Sequence, residues 1–230
     1  MTALVRLRLA GFLRTGRVLG PLLAGLVVLG VLYGGGRAQP AEAYGVSAVV
    51  LFPVLAWQAK LLLDVEPDVQ RRMAVVAVGS RRREQLAGLL AATVVVLGTV
   101  TLALVLPWPL GGLATPVAVD DRSVPVGIAL GLWAHLLAVP AAVALGALAS
   151  RACAGSTGYG VAVLAVGTVV ALVFGRSGSV LPWLAPPVLP TARATAAGVA
   201  VPVALLLTGW AVLWSSAVLA GYAWRRRLRG

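Results

Sequence analysis

Apolar residues fall in six long runs along the chain, at about 18–36, 44–63, 85–106, 124–150, 157–174 and 196–223. Each is close to the roughly 20 residues that an α-helix needs to cross a bilayer's hydrocarbon core. Short polar or Pro/Gly-rich connections separate them. The pattern predicts an all-α membrane protein with six transmembrane helices in one domain.

Three connections carry a pattern of their own. In residues 1–17, MTALVRLRLAGFLRTGR, helical spacing sets Arg6, Arg14 and Arg17 on one side. Leu4, Val5, Leu9 and Phe12 lie mainly on the other, with Arg8 interrupting that apolar side. A basic amphipathic helix in the membrane interface and a plain positive flank to the first span are both compatible with this stretch. Residues 64–84 predict a short helix over about 66–78. Asp64 or Glu66 stands ready to cap it, with Pro67 in the first turn and Asp68 beside it. Val69, Met73 and Val76 recur at i, i+4 and i+7 as an apolar stripe. Gly79 ends the helix and Ser80 caps the next one. Residues 175–194, containing LPWLAPPVLP, read as a Pro-rich loop with Trp183 at the interface.

Composition strengthens the membrane reading. The 230 residues are 60% hydrophobic and 11% charged, where a soluble domain carries about 25% charged residues. The mean hydropathy is +0.97. A net charge of +12 would point to nucleic acid in a soluble chain. Here the basic residues sit in the connections and lack interleaved aromatics, so orientation and contact with anionic lipid account for them instead. The single Lys among nineteen basic residues, with abundant Ala, Gly, Val and Arg, is the composition of a GC-rich bacterial genome.

Charge also sets a topology. With the N-terminus inside, one side holds Arg6, Arg8, Arg14, Arg17, Lys60, Arg71, Arg72, Arg81, Arg82, Arg83, Arg151, Arg225, Arg226, Arg227 and Arg229. The other holds Arg37, Arg122, Arg176 and Arg193. Fifteen against four obeys the positive-inside rule and places both termini in the cytoplasm of a bacterial plasma membrane. Adding or deleting one span would scramble that segregation. Lys60, near the end of the second span, is expected to snorkel to the headgroups. Ala41-Glu42-Ala43 loosely imitates a signal-peptidase site, but the preceding basic stretch is long for a signal and Pro40 crowds the cut.

The layout resembles the ABC-2 type permeases, the membrane subunits of ATP-binding-cassette exporters. The resemblance covers the whole chain as architecture: a basic amphipathic start, six spans, and an acidic-to-basic helical loop between spans two and three. Its most family-like stretch is EPDVQRRMAVVAVGSRRREQLAGLLAA, and the Pro-rich segment before the last span is similar to that family's external re-entrant region. The resemblance implies that residues 1–17 form an elbow helix and that residues 66–78 form a coupling helix contacting a separate ATPase. Glu66, Asp68, Arg71 and Arg72 would then make its polar contacts, while Val69 and Met73 fill the partner's groove. It further implies a homodimer exporting an amphipathic or hydrophobic compound, with ATP and Mg on the partner subunit.

Other chemistry is sparse. Lys60 follows Ala59 and no G-x-x-x-x-G-K-[ST] is present, so the chain has no nucleotide-binding P-loop of its own. GSTGYG at 155–160 lacks the lysine and opens an apolar span, where small residues serve helix packing. Cys153 is the sole cysteine, which excludes an intrachain disulfide and a cysteine metal cluster. His135, the sole histidine, lies mid-way along the fourth span as an intramembrane ionisable group: a pathway residue, or a neutral imidazole bonded to a neighbouring helix. The acids Glu42, Asp64, Glu66, Asp68, Glu84, Asp120 and Asp121 all fall in loops or near span ends, where a proton-coupled carrier would bury at least one. An intramembrane hydrolase using Ser156 and His135, and a non-transporting anchor or assembly protein, are the rival functions.

Overall fold

The computed structural model describes residues 1–116 and 121–228. Asp120, Arg229 and the Asp68 side chain therefore lie outside the described residues. The described residues are predominantly helical, with one isolated bridge between Ala38 and Leu113. Ten α-helices follow in order: α1 Thr2–Arg14, α2 Leu19–Gly34, α3 Pro40–Leu63, α4 Asp68–Val78, α5 Arg81–Val105, α6 Val124–Ala149, α7 Arg151–Ala154, α8 Thr157–Phe174, α9 Val188–Ala197 and α10 Val201–Leu228.

Five of them (α3, α5, α6, α8 and α10) are long and apolar enough to cross a membrane. The sixth crossing depends on α1 and α2, which pass the same test only as a pair bent by 73°. At 1.5 Å per residue the 16 residues of α2 reach about 24 Å, short of a roughly 30 Å core. The break between them falls at residues 15–18, where Gly16 adopts a left-handed φ of 66°.

Helices α3 and α6 form the centre and share the largest interface. Their spans are each 56% buried, against 11% for α8 and 17% for α10, so the last two are peripheral. Small residues set the close approach of the central pair. Any Cβ on Gly131 would run into the Tyr44 ring, and one on Gly146 would stand 2.6 Å from the Ala56 carbonyl oxygen. Without a hydrophobic drive between helices in lipid, such backbone proximity is a main source of packing energy. Large apolar side chains then cover the outside of the bundle, including Val27 and Val31 of α2, Val166 and Val169 of α8, and Leu205, Leu206 and Leu213 of α10.

Several boundaries differ from the sequence-based expectation. The second span begins four residues earlier, at Pro40, whose fixed φ suits a first helical turn. Ala41 and Ala43 are consequently buried in that turn. The expected Pro-rich loop at 175–194 is half helix: a 3-10 turn at Pro182–Leu184, and α9, which runs from Val188 to Ala197 and packs against α3 and α6. It takes over the residues assigned to the start of the last span, which begins instead at Val201 and continues to Leu228. The run Ala185–Val188 is buried, and the Trp214 indole, about halfway along α10, donates to the Leu184 carbonyl at 2.9 Å. The connection before α9 therefore dips into the bundle and returns.

Contacts separate the molecule into two ends. Arg122 donates to the carbonyls of Thr195 (3.1 Å) and Ala196 (2.9 Å), and Arg193 to that of Gly175 (2.8 Å). Two of the four minority arginines thus satisfy carbonyls at the C-terminal ends of α9 and α8, where the helix dipole favours a cation. The other end gathers α1, α4, α7 and the basic termini of the long helices, and is referred to below as the basic end.

Candidate functional site

The connection from α3 to α5 builds the most polar part of the molecule. Pro67 supplies the N-cap of α4 without a side-chain hydrogen bond, and Gly79 closes it in a left-handed conformation with φ 69°. Ser80 then caps α5 by accepting from the Arg83 amide at 3.4 Å. The short helix and its stop follow the sequence pattern closely. Its start does not, because the two acids expected to cap it have other partners.

Asp64 closes α3 instead. Its carboxylate accepts from the Lys60 ammonium at 2.8 Å and from the Arg151 backbone amide at 2.7 Å. Its carbonyl accepts from Arg17 and Arg151, both at 2.9 Å. Lys60 is 2% exposed, so its ammonium is held inside the bundle against Asp64 and does not extend to the protein surface. The nearby carboxylate makes that burial tolerable, because a buried ammonium is stable only when paired.

Glu66 joins a second cluster. Arg8 Nη2 donates to Glu66 Oε2 at 2.7 Å and to Glu84 Oε1 at 2.5 Å, while Nη1 donates to the Glu84 carbonyl at 3.0 Å. Arg226 reaches the other Glu84 oxygen at 3.0 Å and donates to the Tyr222 hydroxyl at 3.2 Å. Glu84 is 1% exposed and Arg8 5%. Burial works against the Arg8 charge, but the hydrogen bonds and charges of Glu66 and Glu84 outweigh it and raise the guanidinium pKa above its ordinary value. Arg8, which interrupts the apolar side of α1, is therefore the group that ties α1 to α5 and to the root of α4. Phe12, fully buried one turn later, completes the attachment, while Arg6, Arg14 and Arg17 stay exposed.

These clusters divide the charges expected to meet a partner. Glu66 is turned inward onto Arg8, and Arg71 is 8% exposed with its guanidinium near the Leu63 and Glu66 carbonyls (3.4 and 3.5 Å). Both belong to the base of α4, because an unpaired charge would be costly where the helix meets the bundle. The outward face keeps Val69, Arg72 and Met73 and adds Val76. Val69 is 55%, Met73 61% and Val76 82% exposed, a continuous apolar stripe left uncovered by the described residues.

A cleft of about 650 Å³ opens between α4, α5, α7 and α10. Arg71, Arg72, Arg81, Arg151, Arg226 and Gln85 line it, together with small and apolar residues. A smaller pocket of about 180 Å³ at the opposite end is bounded by Gln39, Glu42, Asp121 and Arg122.

The remaining candidates do not converge on a reaction centre. His135 is fully buried; its Nδ1 lies 2.8 Å from the Gly131 carbonyl, which makes that nitrogen the donor, and its Nε2 lies 3.2 Å from Ser47 Oγ. It lines neither cavity. Ser156, the imagined partner of His135, instead caps α8 by accepting from the Tyr159 amide at 3.2 Å. The glycine-rich run around it packs helices, since a Cβ on Gly160 would clash with the Ala149 carbonyl. No group of three or more His, Cys, Asp or Glu with metal-binding geometry occurs among the described residues. Comparison with protein-family models, curated proteins and solved structures finds no match.

Proposed function

We propose that the chain is a permease subunit of an ABC-type exporter of the ABC-2 kind, driven by a separate ATPase. The observation that carries this reading is α4: its root is held by buried ion pairs while its apolar stripe of Val69, Met73 and Val76 faces away from the bundle. A helix so arranged moves as a unit with what it is tied to, and offers a partner an i, i+4, i+7 apolar anchor. In this reading the basic end is cytoplasmic, α1 is the elbow helix, and α4 is the coupling helix seated in the ATPase.

The coupling contacts are then Val69, Met73 and Val76, with Arg72 beside them. Glu66 links the root of α4 to α1 through Arg8, Arg71 links α4 to the end of α3, and neither touches the partner. ATP and Mg bind on the ATPase subunit. Two copies of the chain form the pathway in a bacterial plasma membrane, and the apolar peripheral helices suit a hydrophobic or amphipathic cargo. The test is co-purification of the chain with an ATP-binding subunit encoded beside it. Val69→Asp with Met73→Asp should release that subunit while leaving the membrane-inserted chain folded. Retention of the ATPase by the double variant would overturn the coupling assignment, and absence of any ATPase partner would favour an anchor or assembly role.

A further inference from the structure

Five arginines line the larger cleft, and none of the described residues that line it is acidic. Two described carboxylates at this end are already engaged: Asp64 faces Lys60 and Arg151, and Glu84 faces Arg8 and Arg226. Seven cations (Arg8, Lys60, Arg71, Arg72, Arg81, Arg151 and Arg226) gather at this end with three described acids, Asp64, Glu66 and Glu84, and the sequence of the α3–α5 connection adds one more, Asp68. The cluster is positive beyond what its own carboxylates neutralise.

The cleft also lies at a particular level. Tyr159, one turn beyond Gly155 of the cleft wall, is 69% exposed, and Trp224, two residues from Arg226, is 63% exposed. Exposed Tyr and Trp at the ends of apolar helices mark the headgroup layer. Planar guanidinium forks match phosphate oxygens better than ammonium groups do. A volume of 650 Å³ is within the usual range for a small-ligand site.

We infer that this arginine-lined cleft binds a phosphate-bearing anion, presented as the headgroup of an anionic phospholipid. The inference rests on the membrane placement of the basic end and not on the exporter reading. A lipid held there would bridge α4 to α7 and α10, adding a tether between the outward helix and the last span.

The test uses the full chain, delipidated and returned to phosphatidylcholine nanodiscs containing a minor fraction of phosphatidylglycerol. Retained lipid is then counted by native mass spectrometry. The wild type should retain phosphatidylglycerol selectively. Arg72→Gln with Arg81→Gln should weaken retention at least tenfold, equivalent to about 1.4 kcal/mol. Arg82→Gln with Arg83→Gln removes the same charge from the same first turn of α5, at exposed positions outside the cleft, and should change retention less than twofold. Arg72→Glu alone, at an exposed position, gives a second reading if the cleft double variant is poorly folded. A parallel titration with inorganic pyrophosphate in neutral detergent, followed by thermal shift, identifies the source. Stabilisation that the cleft variants abolish, without lipid retention, keeps the phosphate site and assigns it to a soluble anion. Equal losses in the two double variants, or no effect of Arg72→Glu in either arm, would overturn the site and leave diffuse attraction. Arg72 also stands beside the coupling stripe, but both arms read anion binding by the isolated chain with no ATPase present, so failure here is distinguishable from failure of the coupling assignment.

Discussion

Replacing Arg8 by methionine keeps most of the side chain's length and apolar stem while removing its charge and donors. Three hydrogen bonds disappear, two to carboxylates and one to the Glu84 carbonyl. Glu84 is 1% exposed and cannot rehydrate, although Arg226 still faces one of its oxygens. Glu66, with 11% of its side chain accessible, recovers some water. Breaking a buried ion pair by removing one partner costs about 3–5 kcal/mol. The retained Arg226 contact places the expected loss near the lower limit, about 3 kcal/mol. Arg6→Met, two residues away and exposed, should lie within about 0.5 kcal/mol of wild type. Reversible unfolding in detergent or bicelles measures both, and the double variant with Glu84→Gln closes a cycle whose coupling should exceed about 1 kcal/mol. Equal stability of the Arg8→Met and Arg6→Met proteins would refute the reasoning, since it would mean that Arg8 is solvated and α1 is not tied to the bundle.

Two further expectations follow from the geometry. A Cβ at Gly45 would collide with Thr195 Oγ1 and stand 3.0 Å from the Ala192 carbonyl oxygen, so Gly45→Ala should push α9 off α3 and cost about 1–3 kcal/mol. Gly98→Ala, at a position with nothing within 4 Å, should be neutral or stabilising by up to about 1 kcal/mol, and unfolding of the two variants side by side checks this. In a Cys153→Ala background, single cysteines at Met73 and Ser177 test the proposed orientation with an impermeant maleimide. Ser177 should label in intact cells and Met73 only after permeabilisation; the reverse pattern would invert the topology.

The helical class, the six apolar segments and the α4 signals are legible in the sequence because they depend on local rules. A run of about 20 apolar residues, a Pro near a helix start, a Gly after its last turn and a Ser before the next all act within a few residues. The segregation of basic residues is equally readable, since alternate connections must lie on opposite sides. The assignment of 175–194 as a loop fails on the same ground. Prolines mark the break before α9, but only burial against α3 makes the ten residues after it a helix.

What the tertiary structure alone decides is which charges face inward. Arg8 meets Glu84 across 76 positions and Glu66 across 58, and nothing local distinguishes Arg8 from Arg6 except the side of α1 on which it falls. That position looks like a flaw in an amphipathic helix until α5 and the α4 root supply carboxylates opposite it. Likewise His135 finds Ser47 only because α3 and α6 pack closely enough at Gly131. Hydrophobicity is a property of each segment and can be read one segment at a time. The pairing of buried charges is a property of the assembled bundle, because the cost of burying each one is offset only by groups that folding brings from elsewhere.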